Sequence, residues 1–215
     1  MLVHPWDASL DEAEWQAWIA EGHDFGQLAV NGVRGQPPLV VPTHFTCHGD
    51  HLLIHLARPN PVWTAIEDDP NVTFTVIGDY AYVPGSWRAK PETPPSEGVP
   101  TSYYTAVRFT CRADIVDDPE AKAELLRRQM AHFQPDGEHA PVAVDQPPYD
   151  RMLSGIRGLR LRITDVVAKF KYDDQKPVEH RAAVADALTE RDQGLDAPTA
   201  RQQRRRLDRI GFWKT

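Results

Sequence analysis

Two histidines, an arginine and a helix start crowd into one short stretch, "THFTCHGDHLLIHLARPNPVW", residues 43–63. Gly49-Asp50 stands between two strand-like runs, a hairpin signal. Taken as a two-residue loop, it pairs Cys47 with Leu52, Phe45 with Ile54 and Thr43 with Leu56 on a largely apolar face. The opposite face then pairs His48 with His51, Thr46 with Leu53, and His44 with His55. Directly opposed residues have Cβ atoms about 4.5–5.5 Å apart, so His44 and His55 should nearly touch or border one site. Imidazoles there can donate hydrogen bonds to a ligand, carry protons, or offer an axial ligand to an iron. His48 and His51, at the tip, read as ordinary surface residues. Asn60 is a good N-cap and Pro61 suits the first helical turn, so a helix should run through Trp63 and Ile66. Its free N–H groups and Arg58, two residues before the cap, suit a phosphate or carboxylate. No G-x-G-x-x-G follows a strand and no P-loop is present, which excludes those nucleotide sites.

The elements that must position these groups are mostly strands. Ser9 and Glu12 suggest a capping box and a helix from Leu10 to about Glu21, with Trp15, Trp18 and Ile19 on its apolar face. Strands are expected over "FGQLAVNG" and at 39–47, 51–57, 71–78 and 80–84. From Tyr103 to Ile115 the alternation of Tyr103, Thr105, Val107, Phe109, Cys111, Ala113 and Ile115 with Tyr104, Ala106, Arg108, Thr110, Arg112 and Asp114 predicts one long strand. Asp117-Asp118-Pro119 should start a helix reaching Phe133, and a short helix near 149–154 leads to a last strand, "LRLRITDVVAKFKY". Helices at 177–191 and 197–209 close the pattern. This is a mostly β, α+β chain, a barrel with helices around it, too irregular for βαβ units. The division expected is a barrel domain over 1–172 and a helical extension over 173–215.

Composition removes several functions. A formal net charge of −7 gives no global basic field for nucleic acid. The one basic cluster, "RQQRRRLDRI", follows an acidic helix and reads as a solvated helix face, so DNA is not an expected partner. No apolar run approaches the roughly 18 residues that span a bilayer. "MLVHPWDASLDEAEW" lacks the pattern of a signal peptide. Two cysteines, Cys47 and Cys111, without a C-x-x-C, suit free thiols and a cytoplasmic location. Nineteen prolines, clustered in runs such as "RAKPETPPSEGVPT", indicate a loop-rich fold.

"PTHF", "HLARPNPVW", "GDYAYVPGSW", "VPTSYY", "GIRGLRLRIT" and "KFKYDDQK" occur in an order that resembles the PaiB-like family, whose members are described as FMN-binding negative transcriptional regulators. The resemblance implies an FMN-binding split β-barrel of the pyridoxamine-phosphate-oxidase type. It also implies a homodimer with its cofactor at the subunit interface. Carried over by position, Thr43, His44, His55, Arg58, Asn60, Pro61 and Trp63 match the first blocks, and this strand end and helix start would hold the flavin phosphate. Ser86 and Trp87 match the next block, Thr101 and Tyr104 the one after, and Lys169 and Gln175 the last. The chain departs from the family pattern at Arg88, where a tyrosine is usual, and at Ser102 and Tyr103, which take Trp and Asn places. "KYDDQK" lacks the Ser-Gln-Asn run. Trp87 with Tyr103 or Tyr104 would pack near the flavin ring, with His44 or His55 hydrogen-bonded to it and acting as the catalytic groups. The function so implied is a flavin-dependent oxidoreductase or flavin-linked regulator acting on a small molecule. The family also contains haem-dependent enzymes that close an N–N bond to make piperazate. The alternative is therefore haem b, with His44 or His55 on the iron and otherwise no metal. A transcriptional repressor is the third reading.

Overall fold

The computed structural model describes residues 1–90 and 92–210. Pro91, in the proline-rich run noted above, lies outside the described residues. Seven strands form one sheet in the order β2-β1-β5-β6-β7-β4-β3. They are β1 Phe25–Val30, β2 Leu39–His44, β3 Thr46–His48, β4 His51–Ala57, β5 Asn71–Val83, β6 Thr101–Val116 and β7 Ile156–Lys171. Six α-helices accompany them: α1 Glu12–Ala20, α2 Val62–Asp68, α3 Pro119–Phe133, α4 Tyr149–Met152, α5 Val178–Arg191 and α6 Asp196–Ile210. The α+β class read from the sequence is the class observed.

The hairpin register holds: Thr46 faces Leu53, Cys47 faces Leu52 and His48 faces His51. The expected strand 39–47, however, breaks at Phe45, whose N–H bonds to the Asp24 carbonyl and whose ring is buried against Phe74 at 4.8 Å. His44 therefore ends β2 and faces Phe25 of β1 rather than continuing the hairpin ladder. The strands expected at 71–78 and 80–84 are one strand, with Asp79 at φ 51° inside it. A local left-handed residue kinks the strand without ending it, and alternation alone cannot distinguish that from a turn. The last strand begins earlier than expected, at Ile156.

Cap chemistry sets the helix starts. Asp118 caps α3 by accepting from the Ala121 N–H, with Pro119 opening the helix as expected. For α1 the cap is Asp11, which accepts from the Glu14 N–H, while Glu14 reaches back to the Leu10 N–H. The box is thus Asp11 with Glu14, two residues past the expected Ser9 with Glu12, and the Ser9 hydroxyl donates to the Asp11 carbonyl at 2.6 Å instead. Pro61, not Asn60, stands at the cap of α2, although Asn60 still accepts from the Val62 N–H at 3.2 Å.

Two compact units share the chain. The first comprises residues 1–21, 77–107 and 167–215; the second comprises 22–76 and 108–166. In the first, α1 packs Trp18 and Ile19 inward, and α5 and α6 bury Val184, Ala185, Leu188 and Ala200. In the second, Leu52, Ile54, Phe74, Phe109 and Leu161 are buried on the sheet, α3 brings Leu125 against β7 at Gly158, and Leu126 packs with Ala123, Val142 and Leu153. Gly158 on β7 faces His55 on β4. A Cβ there would meet Leu125 Cδ1 and Val116 Cβ at 3.1 Å, so a side-chain-free position lets α3 approach the strands.

Candidate functional site

In the second unit the histidine pair forms. The His44 and His55 ring centroids lie 5.3 Å apart at an interplanar angle of 69°. The contact expected from the hairpin is present, although it joins β2 to β4 rather than two partners on one ladder. The last turn of α3 closes over it. Phe133 lies edge-on to His44 at 5.0 Å, and His132 contacts Phe133 at 4.6 Å while its Nε2 sits 2.9 Å from Asp24 Oδ2. His55 Nδ1 lies 2.6 Å from Gln129 Oε1, and Gln129 Nε2 donates to the Leu53 carbonyl at 3.1 Å. Burial, and then His55, hold the His44 pKa below the usual imidazole value, against a smaller opposing pull from Asp24. Thr43 is buried and its hydroxyl donates to the His44 carbonyl. Sequence reading missed Gln129. The available signal was a polar residue continuing the buried stripe of Leu125 and Leu126 at helical spacing.

The expected phosphate corner carries its own anion. Arg58 Nε donates to the Ser154 carbonyl at 2.9 Å, and its Nη2 lies 3.4 Å from the Ile156 carbonyl and 3.5 Å from Asp117 Oδ1. Asp117 accepts a two-pronged pair from Arg157, which also donates to Glu67 and sits 5.1 Å over the Trp63 ring. These guanidinium bonds hold the Asp117 carboxyl below its ordinary pKa. Trp63 Nε1 donates to the Ala57 carbonyl, so this tryptophan pins the strand-to-helix corner. The helix behind the corner has only seven residues.

The other predicted residues lie in the first unit, in distinct roles. Ser86 is exposed in a short 3-10 turn, and the Trp87 ring carries the Arg191 guanidinium 4.8 Å from its centroid. Tyr103 and Tyr104 point to opposite faces of β6. Tyr103 is fully buried and donates to Asp173 Oδ2, and burial drives its pKa far up. Arg88 donates to the same carboxylate through Nε and Nη2 and to the Val99 carbonyl. Arg88, Tyr103 and Asp173, departures from the family pattern when taken singly, thus form one bonded cluster. Tyr104 is half-buried between two ammonium groups, Lys169 Nζ at 5.7 Å and Lys171 Nζ at 5.8 Å from its centroid. Lys171 donates to Thr101 Oγ1 at 2.8 Å, and Lys169 to the Leu2 carbonyl at 2.9 Å with Asp7 at 3.7 Å. Burial, and then Lys169, lower the Lys171 pKa. Gln175 is half-buried, and its Oε1 has no hydrogen-bond partner among the described residues. No group of three or more His, Cys, Asp or Glu arranged for a metal ion occurs among them.

Residues 1–165 match the family described as "Putative FMN-binding domain". Among solved structures the chain is similar to the flavocytochrome Anf3 from Azotobacter vinelandii, with a TM-score of 0.60 and 20% identity over 77% of this chain and 70% of that one. It is also similar to an FAD and heme binding protein from Mycobacterium smegmatis, with a TM-score of 0.58 and 17% identity over 76% and 73% of the two chains. At such identities these likenesses show the fold alone. No curated protein matches the sequence. The fold is α+β, one seven-stranded sheet with six α-helices among the described residues. The chain belongs to the FMN-binding domain family, and FMN is the cofactor that this family defines. None of the described helices is long and apolar enough to cross a membrane.

Proposed function

We propose that this protein is a PaiB-like flavin-dependent oxidoreductase acting on a small molecule, and not a DNA-binding repressor. The observation that carries this reading is the fate of its one basic cluster. Arg204 pairs with Asp186, Arg205 with Glu21 and Arg209 with Asp11, while Arg206 is buried between Glu14 and Asp174. Four of the cluster's five arginines are neutralised within the chain, which leaves little to engage phosphates. A footprint on DNA at physiological salt, lost on Arg204→Ala with Arg205→Ala, would overturn this.

FMN supplies hydride and electron transfer; the protein supplies binding, orientation and proton handling. The lysine corner fits the cofactor's anionic end. Lys171 has no acidic partner within ion-pair distance among the described residues, whereas Arg58 already faces Asp117. In the first unit, Lys171, Lys169 and Thr101 would hold the phosphate, with Tyr104 beside it; in the second unit, His44 or His55 is the candidate proton-exchanging group. Titrating FMN and riboflavin, which lacks the phosphate, isolates this term. Lys171→Met should weaken FMN roughly tenfold or more and leave riboflavin unchanged, as expected for a charge-assisted bond of about 1.5–3 kcal/mol. The same pattern in Arg58→Ala, with Lys171→Met silent, would return the phosphate to the strand end and helix start. Ile77, Tyr80 and Tyr82, exposed on β5, support a homodimer; light scattering at micromolar concentration should give twice the chain mass.

One observation favours a second reading, a haem enzyme. His55 Nε2 has no hydrogen-bond partner among the described residues, as an axial base requires. A Soret band in the purified protein, abolished in His55→Ala, would establish it over the flavin reading.

A further inference from the structure

We infer that Gln129 is a positioning residue for the candidate site: it locks His55 in the Nδ1–H tautomer and leaves Nε2 as the ring's lone-pair nitrogen. This rests on the reading that His55 faces the cofactor. The argument begins at the far end of the amide. The Leu53 carbonyl, 3.1 Å from Gln129 Nε2, can only accept. The NH₂ end of the amide must therefore face it, and the carbonyl end must face His55. That carbonyl oxygen also only accepts, so the contact of 2.6 Å to His55 Nδ1 requires the proton on Nδ1. A neutral imidazole carries one donor and one acceptor, and Nε2 is left as the acceptor. Flipping the amide would set its oxygen against the Leu53 carbonyl, so neither contact can reverse alone.

Packing shows that the amide is not incidental. Gln129 is 3% exposed, on the stripe of α3 that carries Leu125 and Leu126. A leucine would fill the same volume without a buried amide that costs free energy unless bonded. Gly158, opposite His55, lets this helix approach closely enough for the contact. Chemically, the lock makes His55 begin as a proton acceptor or an electron-pair donor. It can receive an N–H or O–H proton from a flavin or substrate, or bind a Lewis-acidic iron, and it cannot donate from Nε2 until it has been protonated.

The test uses the full chain labelled with ¹⁵N-histidine and read by two-bond ¹H–¹⁵N correlation at about pH 8, where an unperturbed imidazole is neutral. Wild type should show His55 protonated at Nδ1; an Nε2–H signal in wild type overturns the proposal outright. Gln129→Leu should release the tautomer, and Gln129→Glu, whose buried acid in its protonated form can donate its O–H to the Leu53 carbonyl and accept from Nδ1–H, should retain it. A Gln129→Leu chain that folds and keeps the Nδ1–H pattern also overturns it. If that variant does not fold, the wild-type and Gln129→Glu spectra decide. Haemin and FMN titrations then separate the lock from the site. A cofactor affinity that falls roughly tenfold or more in Gln129→Leu and recovers in Gln129→Glu supports the positioning role. A fixed tautomer whose His55 signals neither cofactor moves overturns the site reading, and the positioning role with it.

Discussion

In the first unit Arg206 is fully buried, bonded to Asp174 at 2.6 Å, Glu14 at 2.7 Å and the Ala8 carbonyl at 3.0 Å, with its guanidinium over Phe170. Arg181 joins the same Asp174 at 2.6 Å. In the second unit Arg58 and Asp117 meet at 3.5 Å with side chains 47% and 46% exposed. The residue types are the same and the settings are opposite. Inside, each charge depends on its partners, because water cannot replace one that is removed. At the surface, solvent screens the pair and accepts either member alone. The buried knot of the first unit therefore depends on each of its members, whereas the surface pair of the second does not.

The widest separation should come from Arg206→Ala. Breaking a buried pair typically costs about 3–5 kcal/mol, and for a chain of this size a fall of roughly 6–20 °C in Tm by calorimetry. A loss no larger than that of a surface arginine would dissolve the contrast. Gly158→Ala probes what holds the second unit instead. With Leu125 and Val116 already at 3.1 Å from the added methyl, the overpacking should cost about 1–3 kcal/mol by denaturant titration. If it proves neutral, the packing there is looser than described.

Acid sharpens the comparison in a graded way. His44, His48 and His180 all have pKa values lowered first by burial, so the unfolded chain binds more protons just below the ordinary value of 6.5. Their contribution is complete above about pH 6.5 and is lost as pH falls toward the depressed folded values. Chemical denaturation between pH 8 and 5 should show stability declining through this window, less steeply in His44→Gln. A flat profile would mean that the His44–His55 contact does not disfavour the imidazolium. The smallest effect belongs to Arg58→Ala, about 0–1 kcal/mol and shrinking with added salt; a larger or salt-independent loss would make the corner as structural as the Arg206 knot.

Much of this chain was legible because its signals are local. The alternation expected from Tyr103 to Ile115 matches the buried positions of β6 as far as Ala113, since a strand exposes alternate faces whatever it packs against; Ala106 on the other face is buried as well, and at the end Val116 is buried where Ile115 is half-buried. Gly49-Asp50 set the hairpin register through turn geometry, and Asp118-Pro119 marked the start of α3 through backbone caps. What the sequence could not carry are contacts between residues far apart in the chain. Gln129 reaches His55 across 74 positions, Asp117 reaches Arg58 across 59, and Glu14 reaches Arg206 across 192. Read as text, Arg206 is one cation in a run of arginines and Arg58 a free cation before a helix. Burial is a property of the assembled fold, and it alone decided that Arg206 lies inside while Arg58 faces a carboxylate of its own chain. The sequence by itself determined which segments are strands and helices, where the hairpin turns and which family the chain resembles. The tertiary structure determined which charges are neutralised and which nitrogen of His55 is left as a base, because hydrogen-bond partners and solvent exposure exist only once distant segments have packed.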